Sequence, residues 1–306
     1  MKAQVAPKWY AYDISVMIPF YKEEREVFRK SLESVYAQSI LDDTTKKVQI
    51  ILVCDDPTDE NGLYEIAEEL KQKNEWRVDT VLIKNNVNLG RGYTRNKILE
   101  IIEWEFSAVH DADDIDHPMR LEKELEHMRA HGDVDLLFAN MQIVNVQGQT
   151  LRRFAEVMNI DAPSFFKRQL NHPTMFAKSE VLKKLKYGFQ NRWQDFDLWV
   201  RAFVEWYKFD AIDEELVEYL SLEQSPQEYI LKIKAWCKSD MMIFRRHFWD
   251  FYKDKWFYRR ILQTLYWYTS SLWGEKWYNA FIVIKDIIKV IFPSFFPGKK
   301  TKKDGR

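Results

Sequence analysis

The chain has 306 residues and 37.0 kDa, with 46% hydrophobic and 30% charged residues, which suits one large folded domain or two small ones. This composition excludes an intrinsically disordered chain. The formal net charge of −1 argues against a nucleic-acid partner, although residues 281–306 hold seven Lys or Arg against two Asp.

Short β-rich apolar segments alternate with amphipathic helical patterns in the first half of the chain. They predict strands at 13–19, 48–54, 78–83, 106–110 and 135–143, and helices at 25–39, 62–73, 94–103 and 117–130. A strand and a helix repeating about every 30 residues is typical of β-α-β crossovers. The sequence therefore predicts an α/β fold with a mostly parallel sheet flanked by helices.

Acidic residues follow two of these strands directly. Asp55 and Asp56 follow the second strand, and Asp111, Asp113 and Asp114 follow the fourth. The carboxyl ends of parallel strands form the ligand-binding edge of such a sheet, so we expect these five side chains to converge there. Carboxylates gathered without nearby Lys or Arg repel each other, which predicts either a divalent cation or ligand hydroxyls among them.

The D-x-D-D segment suits a nucleotide diphosphate leaving group, whose developing charge a carboxylate-bound cation can offset. The alternative is that Asp114 only caps the following helix. One of Asp55 and Asp56 can accept the imide N–H of a uracil while Tyr21 offers an aromatic face to the base. The alternative there is a pair of loop acids starting a turn through Pro57.

A third acidic pair, Asp195 and Asp197, lies among aromatic residues in the segment 193–199. Apolar surroundings raise the pKa of a carboxyl towards the range of a general base. The same segment also fits a helix N-terminus, with Asp195 as cap and Leu198, Trp199 and Phe203 in the core.

These motifs together resemble family 2 glycosyltransferases of the GT-A fold. They are Ile14–Tyr21, Ile51–Asp56, Asn88-Leu-Gly with Arg95-Asn96, His110–Ile115 and Gln194–Trp199, and they occur in the family's order over roughly residues 13 to 205. The chain departs from the family at Gln194-Asp195, where members commonly carry Glu-Asp. The missing negative charge should lower the pKa of Asp195 relative to a Glu-Asp pair.

The resemblance implies a role for each matching residue. The residues that would bind the donor are Pro19, Tyr21, Asp56, Arg91, Arg95, Asp111 and Asp113. Asp113 and Asp114 would bind the metal, Mn²⁺ or Mg²⁺. Asp195 would be the catalytic base. The acceptor side falls to His172, Gln194 and Asp197, with a packed structural histidine as the alternative for His172. The implied reaction is inverting transfer of a sugar, from a UDP-sugar to a hydroxyl of a glycan or lipid-linked glycan, in surface polysaccharide or lipooligosaccharide synthesis.

Two other functions compete with this interpretation. A sugar nucleotidyltransferase needs a Gly-rich basic loop after the first strand, and Phe20–Glu24 contains no glycine. A non-catalytic sugar- or membrane-binding module with the same fold is left to experiment.

The last part of the chain has a different composition, so we predict a catalytic domain at 1–240 and a second segment at 241–306. The catalytic domain comprises a nucleotide-sugar half at about 13–115 and an acceptor half at about 116–240. Aromatic residues make up 18 of the 56 positions from 241 to 296, which predicts aromatic-rich helices, the last at 277–292, before a basic tail.

Two interpretations of this C-terminal segment stay open. Residues 277–306 either dock on an anionic membrane surface or form a helical subdomain that completes the acceptor side or a homodimer contact. Cys54 and Cys237 match no zinc or redox motif, and neither a secretory signal nor a membrane-spanning run of about 18 apolar residues is found. We expect a cytoplasmic protein, with peripheral attachment to the inner face of the cell membrane as the variant.

Overall fold

The computed structural model describes residues 13–145, 147–154, 170–188, 194–221, 226–251 and 253–272. The chain divides into two compact units, residues 1–222 and 223–306. The first unit is built around a nine-stranded sheet. The predicted α/β fold is therefore confirmed.

The first half of the sheet has the predicted parallel strands. They are β1 (Ile14–Phe20), β2 (Val48–Cys54), β3 (Asp79–Lys84) and β4 (Phe106–Val109), arranged in the order β3-β2-β1-β4 and all parallel. The helices between them are α1 (Arg25–Tyr36), α2 (Leu63–Asn74) and α3 (Arg91–Ile101). Their bounds agree with the sequence prediction to within three residues.

Burial explains why these segments fold as they do. Every residue of β2 is buried, as expected for a central parallel strand covered on both faces. Helix α1 buries the apolar face that its spacing predicts, including Phe28 and Leu32. Glu24 caps this helix by accepting a hydrogen bond from the Val27 backbone N–H at 2.9 Å.

The second half of the sheet is mixed. Its elements are β5 (Ile115–Asp116), α4 (Arg120–Ala130), β6 (Leu136–Val144), β7 (Thr150–Phe154), β8 (Phe176–Lys178), α5 (Ser179–Leu185), α6 (Gln194–Val204) and β9 (Phe209–Leu220). The strand order continues β4-β8-β6-β9-β5, and β7 pairs with β6. Strand β8 is antiparallel to both β4 and β6, so β6 and its parallel neighbour β9 run in the same direction as β1. The carboxyl ends of the long strands therefore share one edge.

The second unit contains α7 (Pro226–Arg246), α8 (Phe248–Phe251) and α9 (Lys255–Leu272). The Thr264 hydroxyl donates to the buried Asp240 carboxylate at 2.8 Å and links α9 to α7. Because α7 continues through residue 240 without a break, the division between the units lies before this helix rather than at the predicted 240/241 boundary.

The predicted helix at 277–292 and the basic tail lie outside the described residues. Within the part of the chain that the structure describes, no helix has both the length and the apolar character needed to cross a membrane.

Candidate active site

The loop that carries the D-x-D-D segment follows β4 at the shared edge of the sheet. The His110 backbone N–H donates to the Met17 carbonyl of β1 at 3.1 Å. The Asp114 N–H closes a turn on the Asp111 carbonyl at 3.0 Å. These bonds place the loop beside the end of β1, as the sheet topology predicts.

Asp55 organises the loop that leads into α3. Its carboxylate accepts hydrogen bonds from the Asn85 amide at 2.8 Å and from the backbone N–H groups of Leu89 and Gly90 at 2.9 and 2.8 Å. These three hydrogen bonds give Asp55 a structural role, because they fix the start of the helix that carries Arg91 and Arg95.

Asp56, unlike Asp55, has a carboxylate oxygen without a hydrogen-bond partner. One oxygen, Oδ1, accepts from the Thr58 hydroxyl at 2.7 Å and its N–H at 3.0 Å, whereas Oδ2 is buried without a hydrogen-bond partner. Burial alone would raise the pKa of Asp56, but the Thr58 hydrogen bonds outweigh it and the pKa lies below its ordinary value. Asp56 is thus an ionised acceptor beside the ends of β1 and β2, where Pro19 is half-buried and Tyr21 is exposed.

Asp111 is paired with an arginine. The Arg95 Nη2 donates to Asp111 Oδ1 at 2.7 Å, and Arg95 is itself buried. Burial raises the pKa of Asp111, but the charge of Arg95 and the contact with His172 lower it by more, so that the pKa lies well below its usual range. Helix α3 therefore brings a cation, Arg95, into the acidic edge, where its charge offsets that of Asp111.

Asp113 and Asp114 experience the opposite effect. Burial and the neighbouring carboxylates raise the pKa of both side chains, that of Asp114 well above its ordinary value. Asp114 is wholly buried, with Oδ1 accepting from the Leu220 N–H at 3.3 Å and Oδ2 lacking a partner. Crowded carboxylates with an unpaired buried oxygen are a donor set that a hard cation suits.

The described residues contain no group of three or more His, Cys, Asp or Glu side chains arranged to hold a metal ion. Two carboxylates fit the usual manner of binding Mg²⁺, which takes one or two protein carboxylates and completes its shell with water and substrate phosphate. The pair Asp113 and Asp114 therefore fits the ion, with Asp113 the more exposed of the two.

His172 lies next to Asp111. Its Nδ1 is 3.8 Å from Asp111 Oδ1, and its Nε2 is 3.1 Å from the Tyr187 hydroxyl. Burial, followed by the charge of Arg95, lowers the pKa of this histidine, so the ring is neutral at neutral pH. The sequence assigned His172 to the acceptor side, and the structure places it against the first aspartate of the D-x-D-D segment.

The acidic pair on α6 divides into two roles. Asp195 is half-buried, and its Oδ1 accepts from the N–H of Phe196 at 2.8 Å at the start of the helix. Asp197 is buried and pairs with Arg201 at 2.9 Å, one turn later on the same helix. The remaining nitrogens of Arg201 donate to the carbonyls of Leu185 and Lys186, so this ion pair secures the chain after α5.

Asp195 is coupled through charge to the residues around Asp111. It acts electrostatically on Arg95, His172 and Tyr187, each of which also responds to Asp111. Gln194 is buried against Gly92 of α3, where an added methyl group would lie 2.4 Å from the Gly188 carbonyl oxygen. Gly92 thus lets α3 approach the Gly188 carbonyl closely.

Three residues of this site were not selected from the sequence. Tyr187 contacts His172, while the half-buried Glu23 and Tyr219 are coupled electrostatically to Asp113 and Arg91. Burial raises the pKa of Glu23 and of Tyr219, and the charge of Asp113 adds to both effects. Tyr219 comes from β9, a strand about 100 residues later in the chain, so no local pattern could reveal it.

Comparison with known proteins identifies the chain. The sequence pattern described as Glycosyl transferase family 2 matches residues 15–185. An uncharacterized glycosyltransferase of Methanocaldococcus jannaschii is 38% identical over 215 residues, which are 67% of this chain and 70% of that protein. The O-antigen biosynthesis glycosyltransferase WbnJ of Escherichia coli is 26% identical over 228 residues, 71% of this chain and 83% of WbnJ.

The fold also matches solved structures of S. aureus TarS 1–349. The complex of TarS with UDP-GlcNAc superimposes with a TM-score of 0.56 at 16% identity, covering 75% of this chain and 66% of that one. The fold and the position of the acidic edge define a GT-A glycosyltransferase. The chain belongs to Glycosyl transferase family 2.

Proposed function

We propose that the protein transfers a sugar from a UDP-sugar to a hydroxyl of a glycan or lipid-linked glycan during surface polysaccharide synthesis. One observation carries the proposal: a buried carboxylate oxygen without a partner, a charge-paired aspartate, a crowded carboxylate pair and a half-buried candidate base come from three segments, which lie after β2, after β4 and at the start of α6. The names of the similar WbnJ and of the amylovoran biosynthesis glycosyltransferase AmsE support polysaccharide as the product. The UDP-GlcNAc bound by TarS supports a UDP-sugar as donor.

The donor would lie along the ends of β1, β2 and β4. Asp56 Oδ2 would accept the uracil imide N–H, and the exposed ring of Tyr21, next to half-buried Pro19, would stack on the base. Arg91, at the first turn of α3, is exposed and coupled to Asp111 and Asp113, which suits a contact with the diphosphate. Asp111, held by Arg95, would receive a donor hydroxyl.

Asp113 and Asp114 would hold Mn²⁺ or Mg²⁺. When bound, the ion offsets the negative charge that develops on the departing diphosphate. The chain's own contribution is the placement of two carboxylates whose pKa values are raised by burial and by the charge of neighbouring carboxylates, and a cation relieves that repulsion.

Asp195 would act as the general base. It would remove the proton of the acceptor hydroxyl as that oxygen attacks the anomeric carbon of the donor. The bond to the diphosphate breaks on the opposite face, so the configuration inverts. Gln194 and His172 lie beside this position, whereas Asp197 would support it through Arg201.

The Asp195→Asn variant tests this assignment. We expect transfer to fall by about 10² to 10⁴-fold, the usual contribution of a general base, with UDP affinity unchanged because Asn keeps the shape of the side chain. UDP release is measured with UDP-glucose, UDP-galactose and their N-acetylated analogues in the presence of Mn²⁺.

Asp43→Asn is the matched control. This residue is exposed in the turn before β2, at the edge of the sheet away from the site, and its carboxylate accepts hydrogen bonds from the N–H and the hydroxyl of Thr45. The control should keep full activity. Normal transfer by Asp195→Asn would contradict the assignment of Asp195 as the general base. UDP release by no donor at all would favour a non-catalytic binding module.

A further inference from the structure

Tyr187 is held in place by consecutive residues of α3. Its backbone N–H donates to Asn96 Oδ1 at 2.8 Å, and the Asn96 amide donates back to its carbonyl at 3.0 Å. The Arg95 guanidinium lies 5.4 Å from the centre of its ring. A single turn of helix therefore fixes both the backbone and the ring of a tyrosine that is only 2% exposed.

His172 connects this tyrosine to Asp111. Its Nε2 is 3.1 Å from the Tyr187 hydroxyl, and its ring meets the tyrosine ring edge-on at 5.7 Å. On the other side Nδ1 is 3.8 Å from Asp111 Oδ1, the oxygen that also receives the Arg95 hydrogen bond. A gap of 3.8 Å is an electrostatic contact, of the kind that shortens when a ligand is bound.

The neighbouring groups select one tautomer of His172. A lone pair on Nδ1 would face a carboxylate and be repelled, which favours the ring hydrogen on Nδ1, although at 3.8 Å no hydrogen bond to Asp111 fixes it there. In a neutral ring Nε2 is then an acceptor, and the Tyr187 hydroxyl must donate to it. Burial lowers the pKa of His172 and raises that of Tyr187, which keeps the ring neutral and the hydroxyl protonated.

We propose that Tyr187 and His172 are positioning residues for Asp111, with the Tyr187 hydroxyl directing the Nδ1–H of His172 towards Asp111 Oδ1. The inference rests on the proposed function, in which Asp111 contacts the donor. Arg95 and His172 both engage Oδ1, which leaves Oδ2 for a hydroxyl of the nucleotide sugar. Arg95 thus neutralises the carboxylate, and the pair of Tyr187 and His172 orients it.

The tautomer is tested without any substrate. Two-dimensional ¹⁵N–¹H spectra of the imidazole rings distinguish the two neutral forms, and loss of one signal set in His172→Asn assigns His172 among the six histidines. We expect the Nδ1–H form in the wild type and a mixture of both forms in Tyr187→Phe. An Nε2–H form in the wild type would overturn the proposal, and so would an unchanged spectrum in the variant.

The kinetic test uses the same substitution with a matched control. Tyr187→Phe removes only the hydroxyl, and Tyr207→Phe removes a hydroxyl that contacts Lys184 on the exposed surface. We expect the donor KM of Tyr187→Phe to rise about tenfold with kcat within about threefold, the effect of losing a hydrogen bond that favours donor binding. Tyr207→Phe should match the wild type. An unchanged donor KM in folded Tyr187→Phe would reduce the pair to a packing role.

A second pair of variants covers the case in which Tyr187→Phe fails to fold. The amide of His172→Asn can supply an N–H near the position of Nδ1, whereas His172→Ala cannot. We expect His172→Asn to keep a lower donor KM than His172→Ala, and equal values would contradict the proposal. A wild-type protein that transfers no sugar from any donor would refute the proposed function, while the spectra would still decide the tautomer.

Discussion

Asp55 and Asp56 are neighbours in the chain with identical chemistry and separate tasks. Asp55 uses both carboxylate oxygens to hold the loop before α3, whereas Asp56 keeps one buried oxygen without a partner. Adjacent residues at a strand end point to different sides of the chain. One aspartate therefore supports the loop and the other is available to a ligand.

The two substitutions Asp56→Asn and Asp55→Asn should separate these tasks. In Asp56→Asn the remaining oxygen can still accept from Thr58, but an NH₂ group replaces the free acceptor, so we expect UDP affinity to fall about tenfold with little change in stability. In Asp55→Asn an NH₂ group can face the N–H groups of Leu89 or Gly90, so we expect a loss of about 1 to 3 kcal/mol in the free energy of unfolding.

Isothermal titration with UDP and urea denaturation measure the two effects on the same samples. Each variant is the control for the other, because both change one carboxylate to an amide at the end of the same strand. A loss of UDP affinity in Asp55→Asn alone would reverse the assignment.

Sequence reasoning located these residues but could not rank them. It placed Asp55, Asp56, Asp111, Asp113 and Asp114 at one edge, because strand ends follow from periodicity. Asn85, Arg95 and Leu220 determine which carboxylate oxygens of these aspartates have hydrogen-bond partners. Tertiary contacts bring these three residues to the site from separate elements. Asp197 is different, because Arg201 four residues later was a readable signal for an ion pair within one helix.

At the level of elements, a buried polar network supports the loop that carries the D-x-D-D segment. Arg120, the first residue of α4, donates to Asp116 at 2.6 Å, to Glu124 at 3.0 Å and to the Val109 carbonyl at the end of β4 at 2.9 Å. His110 lies 3.1 Å from Asp116 and 2.7 Å from the Ser31 hydroxyl. The network thus ties α4 and α1 to the strand end that precedes Asp111.

Glu124 makes the stability of this network depend on pH. Burial, only partly offset by Arg120, raises the pKa of Glu124 from 4.5 to about 7. The folded state therefore holds more protons than the unfolded state between these values, and the contribution of this group falls as pH rises. Asp116, with a pKa lowered to about 2 chiefly because Arg120 outweighs its burial, loses its contribution only in acid, below about pH 4.

We expect Glu124→Gln to remove this pH dependence. Relative to the variant, the wild type should lose about 3 kcal/mol of unfolding free energy between pH 4.5 and pH 7. Urea denaturation at several pH values measures the difference. Glu126→Gln, an exposed substitution on the same helix, should show no such trend. A constant difference between the wild type and Glu124→Gln would mean that Glu124 is ionised throughout.

The sequence did not predict four strands of the second half, the short β5, β7 and β8 and the twelve-residue β9. Strand β5 has two residues and β8 has three, too few for a periodic pattern, and both are held by neighbours far away in the chain. Strand β8 inverts the direction of the sheet between β4 and β6, which is why the second half is mixed. The parallel half was predictable because each of its strands is a short apolar segment followed by a helical pattern.

On the scale of the whole molecule, the aromatic and basic residues concentrated near the C-terminus belong to the second unit, and every candidate site residue belongs to the first. The first unit also contains all nine strands. We therefore expect donor recognition to need no residue after 222, whereas acceptor or membrane recognition by the second unit stays a hypothesis.

A chain shortened to residues 1–222 should bind UDP with an affinity within about threefold of the full-length protein. The physical reason is that the ends of β1, β2 and β4 are fixed by contacts inside the first unit, such as those of Asp55 and Arg120. Isothermal titration of both chains provides the comparison, and Asp56→Asn in the short chain should weaken binding about as much as in the long one. A folded short chain that does not bind UDP would show that the second unit contributes to the donor site. The assignment of donor binding to the first unit alone would then be wrong.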